Sequence, residues 1–181
     1  MIEDRLLLWR FKYSNEGALC RIYEKYRTLL LKLANALSND KDLAEDVVQD
    51  VFVSFAQSAK RLRVSGNLRA YLATSVANRV RNRTRDDRSK QYVSLDSADT
   101  IASGGRTPQQ WVTYSEDMRK VNEALEKLQY EQREVVLLHV YGGMKFKAIS
   151  ELQKVSINTV QSRYRYAVEK LRAVLKEQML E

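Results

Sequence analysis

The sequence predicts an all-α protein: two small helical domains joined by a flexible linker, the C-terminal one a helix-turn-helix. Three observations predict it. Six glycines and one proline in 181 residues are too few for a turn-rich all-β chain, and good helix formers (Leu, Ala, Glu, Lys, Arg, Gln) dominate instead. Apolar residues recur at helical spacing in both halves of the chain. Between the halves, from Ser89 to Ser115, that period disappears into Ser, Asp, Thr, the Gly104-Gly105 pair and Pro108. The expected units are residues 1–88, a linker over 89–115, and residues 116–181.

Element by element, the first long helix spans roughly Glu16 to Leu37, with Leu19, Ile22, Tyr23, Tyr26, Leu29, Leu30, Leu33 and Leu37 at helical spacing. Ser38-Asn39-Asp40 ends it, because these side chains compete for backbone hydrogen bonds. A second helix runs from about Asp42 to Lys60. Val64-Ser65-Gly66-Asn67 is a turn, and a third helix follows from about Leu68 to Arg85. Leu6-Leu7-Leu8-Trp9 is suited to begin a first helix packed on this domain, and the role of the first sixteen residues is otherwise open. Within the linker, Trp111 and Tyr114 are candidates to belong already to the second domain. The period returns at Met118 through Val121, Leu125 and Leu128, then Val135 to Tyr141, then Ile149 and Leu152, then Val160 to Leu175.

Composition narrows the function. The formal charge of +8 and a sequence pI of about 9.6 call for a polyanionic partner, nucleic acid or an anionic membrane surface. Position is more telling than the total. Lys60 to Lys90 holds ten Lys/Arg against two Asp, and Lys145 to Lys176 eight against two Glu, whereas Asp86 to Asp117 holds three basic residues and six acidic. Two basic patches thus flank an acidic connector. Cys20 is alone, so no intramolecular disulfide forms, and with His139 the only histidine a protein-built zinc site is not expected. No cofactor is expected either. No apolar run approaches the ~20 residues of a spanning helix, so membrane insertion is not expected. MIEDRLLLWRFKYS is too short in its apolar part, and acidic too early, for a signal peptide. A cytoplasmic location is the expectation.

Three stretches carry the functional signal. Around the second helix, at about 100° per residue, Leu43, Ala44, Val47, Val48, Val51, Phe52 and Phe55 fill one half; Glu45, Asp46, Gln49 and Asp50 share the other. A solvated acidic face is the plain reading. In an otherwise basic protein, a face that repels DNA is better suited to a basic protein surface. The third helix carries Arg69, Tyr71, Asn78, Arg79, Arg81, Asn82, Arg83 and Arg85 after the loop Lys60-Arg61-Leu62-Arg63-Val64-Ser65-Gly66-Asn67. Arg with Asn and an aromatic suits phosphate contacts with some base contact, and such a loop could hold an unstacked base. The third stretch has helix-turn-helix layout: Phe146 to Leu152, a turn Gln153-Lys154-Val155, then Ser156 to Arg165. Ile149, Leu152, Val155 and Val160 supply its small core, and Ser156 is the expected N-cap. Asn158, Thr159, Gln161, Ser162, Arg163 and Arg165 are left outward, types that reach base edges and phosphates.

These stretches, in this order from about Gly17 to Lys176, resemble the extracytoplasmic-function (ECF) group of the sigma-70 family. The resemblance implies an alternative sigma factor that binds bacterial core RNA polymerase and directs promoter-specific transcription initiation, and it implies no enzyme. It places core binding on Asp42, Glu45, Asp46, Gln49, Asp50 and Phe52. Reading and melting of the −10 element falls to Arg61, Arg63, Asn67, Arg69, Tyr71, Asn78, Arg79, Asn82 and Arg85, with Tyr71 where the family usually has Trp. Duplex contact at the −35 element falls to Ser156, Asn158, Thr159, Gln161, Ser162, Arg163 and Arg165. Glu131 to Tyr141 sits where the family meets the flap of the second large polymerase subunit. The partners implied are core polymerase, promoter DNA as duplex and melted strand, and, for many members, an anti-sigma factor. Gln129, Lys145, Lys154 and Asn158 depart from the family's usual Pro, Ser, Gly and Gly. A non-glycine residue at the Lys154 turn is strained if its φ is positive. Two other readings compete: a helix-turn-helix transcriptional regulator whose N-terminal domain senses a ligand or dimerises, and a metal-dependent enzyme using Asp46 and Asp50.

Overall fold

The computed structural model describes residues 2–13, 16–58, 67–93 and 116–178. Its described residues form helices α1 (Ile2–Lys12), α2 (Glu16–Ser38), α3 (Lys41–Gln57), α4 (Leu68–Val93), α5 (Glu116–Glu126), α6 (Tyr130–Val140), α7 (Phe146–Gln153) and α8 (Ile157–Gln178). Ile2–Lys12 make a separate helix, not the beginning of α2. At its far end α4 runs to Val93, eight residues past the expected stop at Arg85 and into the expected linker. The rest of that linker, residues 94–115, lies outside the described residues, as do Trp111 and Tyr114.

Helices α1 to α4 wrap one apolar core. The fully buried Ile22, Leu30, Leu33 and Leu37 of α2 meet Val47 and Phe55 of α3 and Leu68 and Leu72 of α4. The α2–α3 junction follows from local chemistry. Asn39 takes the left-handed conformation at φ 57°, which Asn tolerates better than most residues. Asp40 then caps α3, its carboxylate accepting from the Leu43 N–H at 3.0 Å. Helix α1 is fixed to α2 by Leu7, Leu8 and Phe11 and by the buried Asp4, whose carboxylate accepts from the Tyr26 hydroxyl at 2.8 Å and the Lys25 ammonium at 2.9 Å.

In the C-terminal half, α5 and α6 brace the α7–α8 hairpin. The rings of His139, Phe146 and Tyr164 meet with centroids 4.8–5.2 Å apart, and Ile149 and Val160 are fully buried. So His139 belongs to the packing of this hairpin. The turn into α8 passes through Lys154 at φ 54°, the strained left-handed position foreseen where a glycine is usual.

The two halves are not separate. Helix α6 lies against α2 and α4, and the core is continuous across both. Gly142 lies where the halves pack tightly: a Cβ there would sit 3.2 Å from the Ala73 Cβ of α4, and only 2.4 Å from the Leu138 carbonyl oxygen of the preceding helix α6. No helix among the described residues is long and apolar enough to cross a membrane.

The Asp4 anchor has a pH signature. Burial works against its charge, but the hydrogen bonds from Lys25 and Tyr26 outweigh that and hold its pKa below the ordinary carboxylate value. A lowered folded-state pKa stabilises above the unfolded value and fades as pH falls through the folded one. Asp4→Asn is therefore expected to lower the thermal midpoint at neutral pH, with the gap to the parent closing on acidification. Midpoints measured from pH 7 down to pH 3 check this.

Candidate nucleic-acid interface

Three surfaces carry the residues singled out in the sequence, and tertiary packing treats them differently. On α3, Ala44, Val47, Val48, Val51, Phe52 and Phe55 turn inward, leaving Asp42, Glu45, Asp46 and Gln49 exposed along one face. Phe52 is buried, its ring edge-on to Tyr23 at 4.8 Å, in the lining of a groove between α2 and α3 that Leu19, Val48 and Gln49 also line. Asp50 leaves the acidic face: it is half-buried and ion-paired with Arg83 at 3.3 Å and Arg79 at 3.6 Å on α4. Arg79 also donates to the Ser54 hydroxyl. So Arg79, expected at DNA, holds α3 to α4 here.

Asn67 opens α4, its side-chain oxygen accepting from the Arg69 N–H at 3.0 Å. At about 100° per residue, Tyr71, Asn78, Asn82 and Arg85 fall within one arc of about 60°; Tyr71, Asn82 and Arg85 are exposed and Asn78 half-buried. These four form a continuous edge. Arg61 and Arg63 lie outside the described residues.

Arg69 departs from expectation. Its guanidinium turns away from that edge and donates to the carbonyls of Tyr141 at 2.6 Å and Val140 at 2.9 Å. Those carbonyls end α6, where the helix dipole is negative and a cation is favoured. Further along, Arg81 donates to Glu134 of α6 at 2.6 Å, and Glu134 is only 1% exposed. Partial burial opposes the charge on Arg81, and the adjacent Glu134 carboxylate more than restores it, raising its pKa. Tyr130, pushed up by burial and by Glu134, sits at the same carboxylate with its hydroxyl 3.4 Å away. Gln153 donates to the other Glu134 oxygen at 2.7 Å, and Arg163 of α8 donates to Gln153 at 2.7 Å. A polar chain thus runs from α4 through α6 and α7 to α8.

On α8 the expected cap is present: the Ser156 hydroxyl accepts from the Thr159 N–H at 3.1 Å. Ser156, Asn158, Gln161 and Arg165 are exposed, and Thr159, Ser162 and Arg163 half-buried. Arg165 lies over the ring of Tyr166, 5.2 Å from its centroid, and Tyr166 is itself exposed beside the outward residues. The sequence reading passed over Tyr166, although an aromatic next to Arg on an outward arc was a usable signal. It also missed Glu134 and Gln153, for which no local signal exists. Among the described residues, no group of three His, Cys, Asp or Glu is placed to hold a metal ion.

Two family models match the chain: sigma-70 region 2 over residues 22–90 and sigma-70 region 4 over residues 118–171. The RNA polymerase sigma factor CnrH of Cupriavidus metallidurans is 26% identical over 179 residues, 95% of this chain and 94% of that protein. The ECF RNA polymerase sigma factor SigL of Mycobacterium tuberculosis is 31% identical over 165 residues, 90% and 92% of the two chains. Among solved structures, CnrH in complex with the cytosolic domain of CnrY superposes with a TM-score of 0.66 at 22% identity, covering 96% of this chain and 97% of that one. The sigma factor RpoE of Bartonella quintana, solved with the anti-sigma factor NepR, gives 0.67 at 26% identity over 86% of this chain and 97% of that one.

The Glu134 junction is testable by stability. Removing Arg81 leaves the buried Glu134 carboxylate without its counter-charge, so Arg81→Ala is expected to destabilise by about 3 kcal/mol. Glu134→Ala in the same chain should add less than its separate effect, because the two side chains share one interaction. Denaturant unfolding of the two single variants and the double variant measures this.

Proposed function

Because the chain belongs to the ECF group of the sigma-70 family, alternative sigma factors that bind core RNA polymerase and direct promoter-specific initiation, we propose a division of labour among its surfaces. Residues 1–88 bind core polymerase and the −10 element, residues 116–181 bind the −35 element, and residues 89–115 link them. The exposed Asp42, Glu45, Asp46 and Gln49 dock on a basic protein surface of the core enzyme. The edge Tyr71, Asn78, Asn82 and Arg85, with Arg61 and Arg63 of the preceding loop, takes the melted −10 strand by stacking, amide contacts and charge. Asn158, Gln161, Arg165 and their neighbours on α8 enter the major groove at −35. The observation that carries this reading is the exposed acidic face of α3 in a protein of net charge +8. An operator-binding regulator has no evident use for such a face. The chain supplies binding and no covalent chemistry, and it works where polymerase works, in the cytoplasm.

The packing of the halves constrains how this happens. The −10 and −35 elements lie about 25 base pairs apart, roughly 85 Å at about 3.4 Å per base pair. A compact chain of 181 residues has a radius of gyration of only about 16 Å. The closed arrangement therefore cannot touch both elements, and α6 must leave α4 on promoter binding. Residues 94–115, at up to about 3.4 Å each, can span roughly 75 Å. Opening frees Arg69, on the side of α4 away from the −10 edge, from the α6 carbonyls and leaves its guanidinium available to a phosphate. An anti-sigma factor is a further proposed partner, with the apolar α2–α3 groove suited to an amphipathic helix.

Two outcomes check the assignments. Asp46→Ala with Gln49→Ala is expected to abolish stoichiometric co-elution with bacterial core polymerase in moderate salt, while leaving binding to duplex DNA unchanged. Co-elution as in the parent removes core binding from the α3 face. Arg163→Ala is expected to weaken duplex binding by roughly five-fold or more and to leave core co-elution intact, as read by anisotropy of a labelled promoter library.

A further inference from the structure

Helix α1 has an outward half that neither the fold nor the surfaces above use. Its inward half is committed: Leu7, Leu8, Phe11 and Asp4 are buried. Opposite them stand Leu6 at 47%, Trp9 at 59% and Tyr13 at 72% exposure, spaced i, i+3 and i+7 so that they form one ridge. Trp9 and Tyr13 touch, with ring centroids 5.0 Å apart and planes 52° from parallel. Charge flanks the ridge on both sides: by helical geometry the exposed Arg5 and Lys12 lie along one side of it and Arg10 along the other. The acidic residues of the helix are accounted for, since Asp4 is buried and Glu3 pairs with Lys25 at 2.5 Å. The outward half of α1 is thus an aromatic ridge between cationic rims.

We propose that this ridge binds single-stranded DNA, with unstacked bases lying on Trp9 and Tyr13 and the backbone phosphates on Arg5, Arg10 and Lys12. Stacking accepts any base, and cationic rims track a strand, which is the general design of sequence-tolerant single-strand sites. A membrane is a poor occupant, because half of this eleven-residue helix is buried in protein and three apolar side chains give little insertion. An acidic protein partner is less well matched to two exposed planar rings in contact with each other than a row of bases is, and it is an outcome of the test. Position supports DNA as well. The Phe11 ring of α1 stacks on Phe55 at 4.8 Å, and Phe55 lies 6.2 Å from Tyr71, the first residue of the α4 edge. Those rings lie on the inward face of α1, so they set α1 beside the end of α4 that carries Tyr71 and leave the ridge on the outward face. Only the identity of that strand rests on the sigma-factor reading; single-strand binding by the ridge does not.

The test uses the full chain and a fluorescently labelled oligo(dT) strand, read by anisotropy across a salt series. The parent is expected to bind, with affinity falling as salt rises. Trp9→Ala with Tyr13→Ala is expected to lose about ten-fold or more in affinity, and Trp9→Phe with Tyr13→Phe to keep most of it. Arg5→Gln, Arg10→Gln and Lys12→Gln together should flatten the salt dependence. Duplex binding should not change in any of these variants. An oligonucleotide affinity unaffected by the alanine pair, or a parent that does not bind, overturns the proposal. Loss of core co-elution in the alanine pair with single-strand affinity intact also overturns it, by making the ridge a protein contact. If the alanine pair fails to fold, the phenylalanine pair and the charge variants decide by the same readings. Failure of the parent to co-elute with core polymerase, alongside ridge-dependent strand binding, sinks the sigma-factor assignment and leaves this proposal standing.

Discussion

A buried carboxylate organises the molecule. Glu134 is 1% exposed, and an ion taken out of water costs several kcal/mol unless charge and hydrogen bonds inside the protein replace its hydration. Arg81, Gln153 and Tyr130 supply that replacement. They come from three different helices, so satisfying one carboxylate fixes α4, α6 and α7 relative to each other. Arg163 extends the chain to α8. The orientation of the C-terminal half on the N-terminal half is thus tied to a polar constraint as well as to apolar contact around Ala73 and Gly142.

The arginine-rich helix α4 divides its cations by face. Arg79 and Arg83 pair with Asp50 and hold α3. Arg69 and Arg81 hold α6, one on helix-end carbonyls and one on a carboxylate. Arg85, with Tyr71, Asn78 and Asn82, makes the remaining edge. A helix that reads from sequence as one basic face is therefore three surfaces, two of them structural in the closed form. Polar contacts between the halves are the kind that can be exchanged for contacts with a polyanion, because phosphates offer Arg69 and Arg81 equivalent acceptors. A purely apolar junction has no such exchange.

This gives the closed form a simple relation to function. Helix α6 covers one side of α4, and the same packing holds α8 within a few tens of ångströms of it, far short of the promoter span. Binding at both elements and closure of the halves compete for one chain. The tether turns the second DNA contact into an intramolecular event once the first is made, which offsets part of what opening costs.

Much of this was legible in the sequence, for reasons that can be named. The helices of both halves follow from 3.6-residue periodicity, and Asp40 and Ser156 start α3 and α8 through hydrogen bonds to N–H groups three residues on. The exposed face of α3 and the outward residues of α8 follow from the same period, and the left-handed turn at Lys154 is what the family resemblance implies where a glycine is usual. All of these are local, set by residues a turn or two apart. What the tertiary structure alone decided is the fate of individual charges. Nothing near Arg69 or Arg81 distinguishes them from Arg85, because their partners lie 53 to 72 residues away. Glu134 reads as an ordinary surface residue until three helices close over it, and Asp50 sits on an acidic face until two arginines claim it. Periodicity records which side of a helix faces inward; which other helix it meets there, and which charges then pair, is settled only when the helices pack.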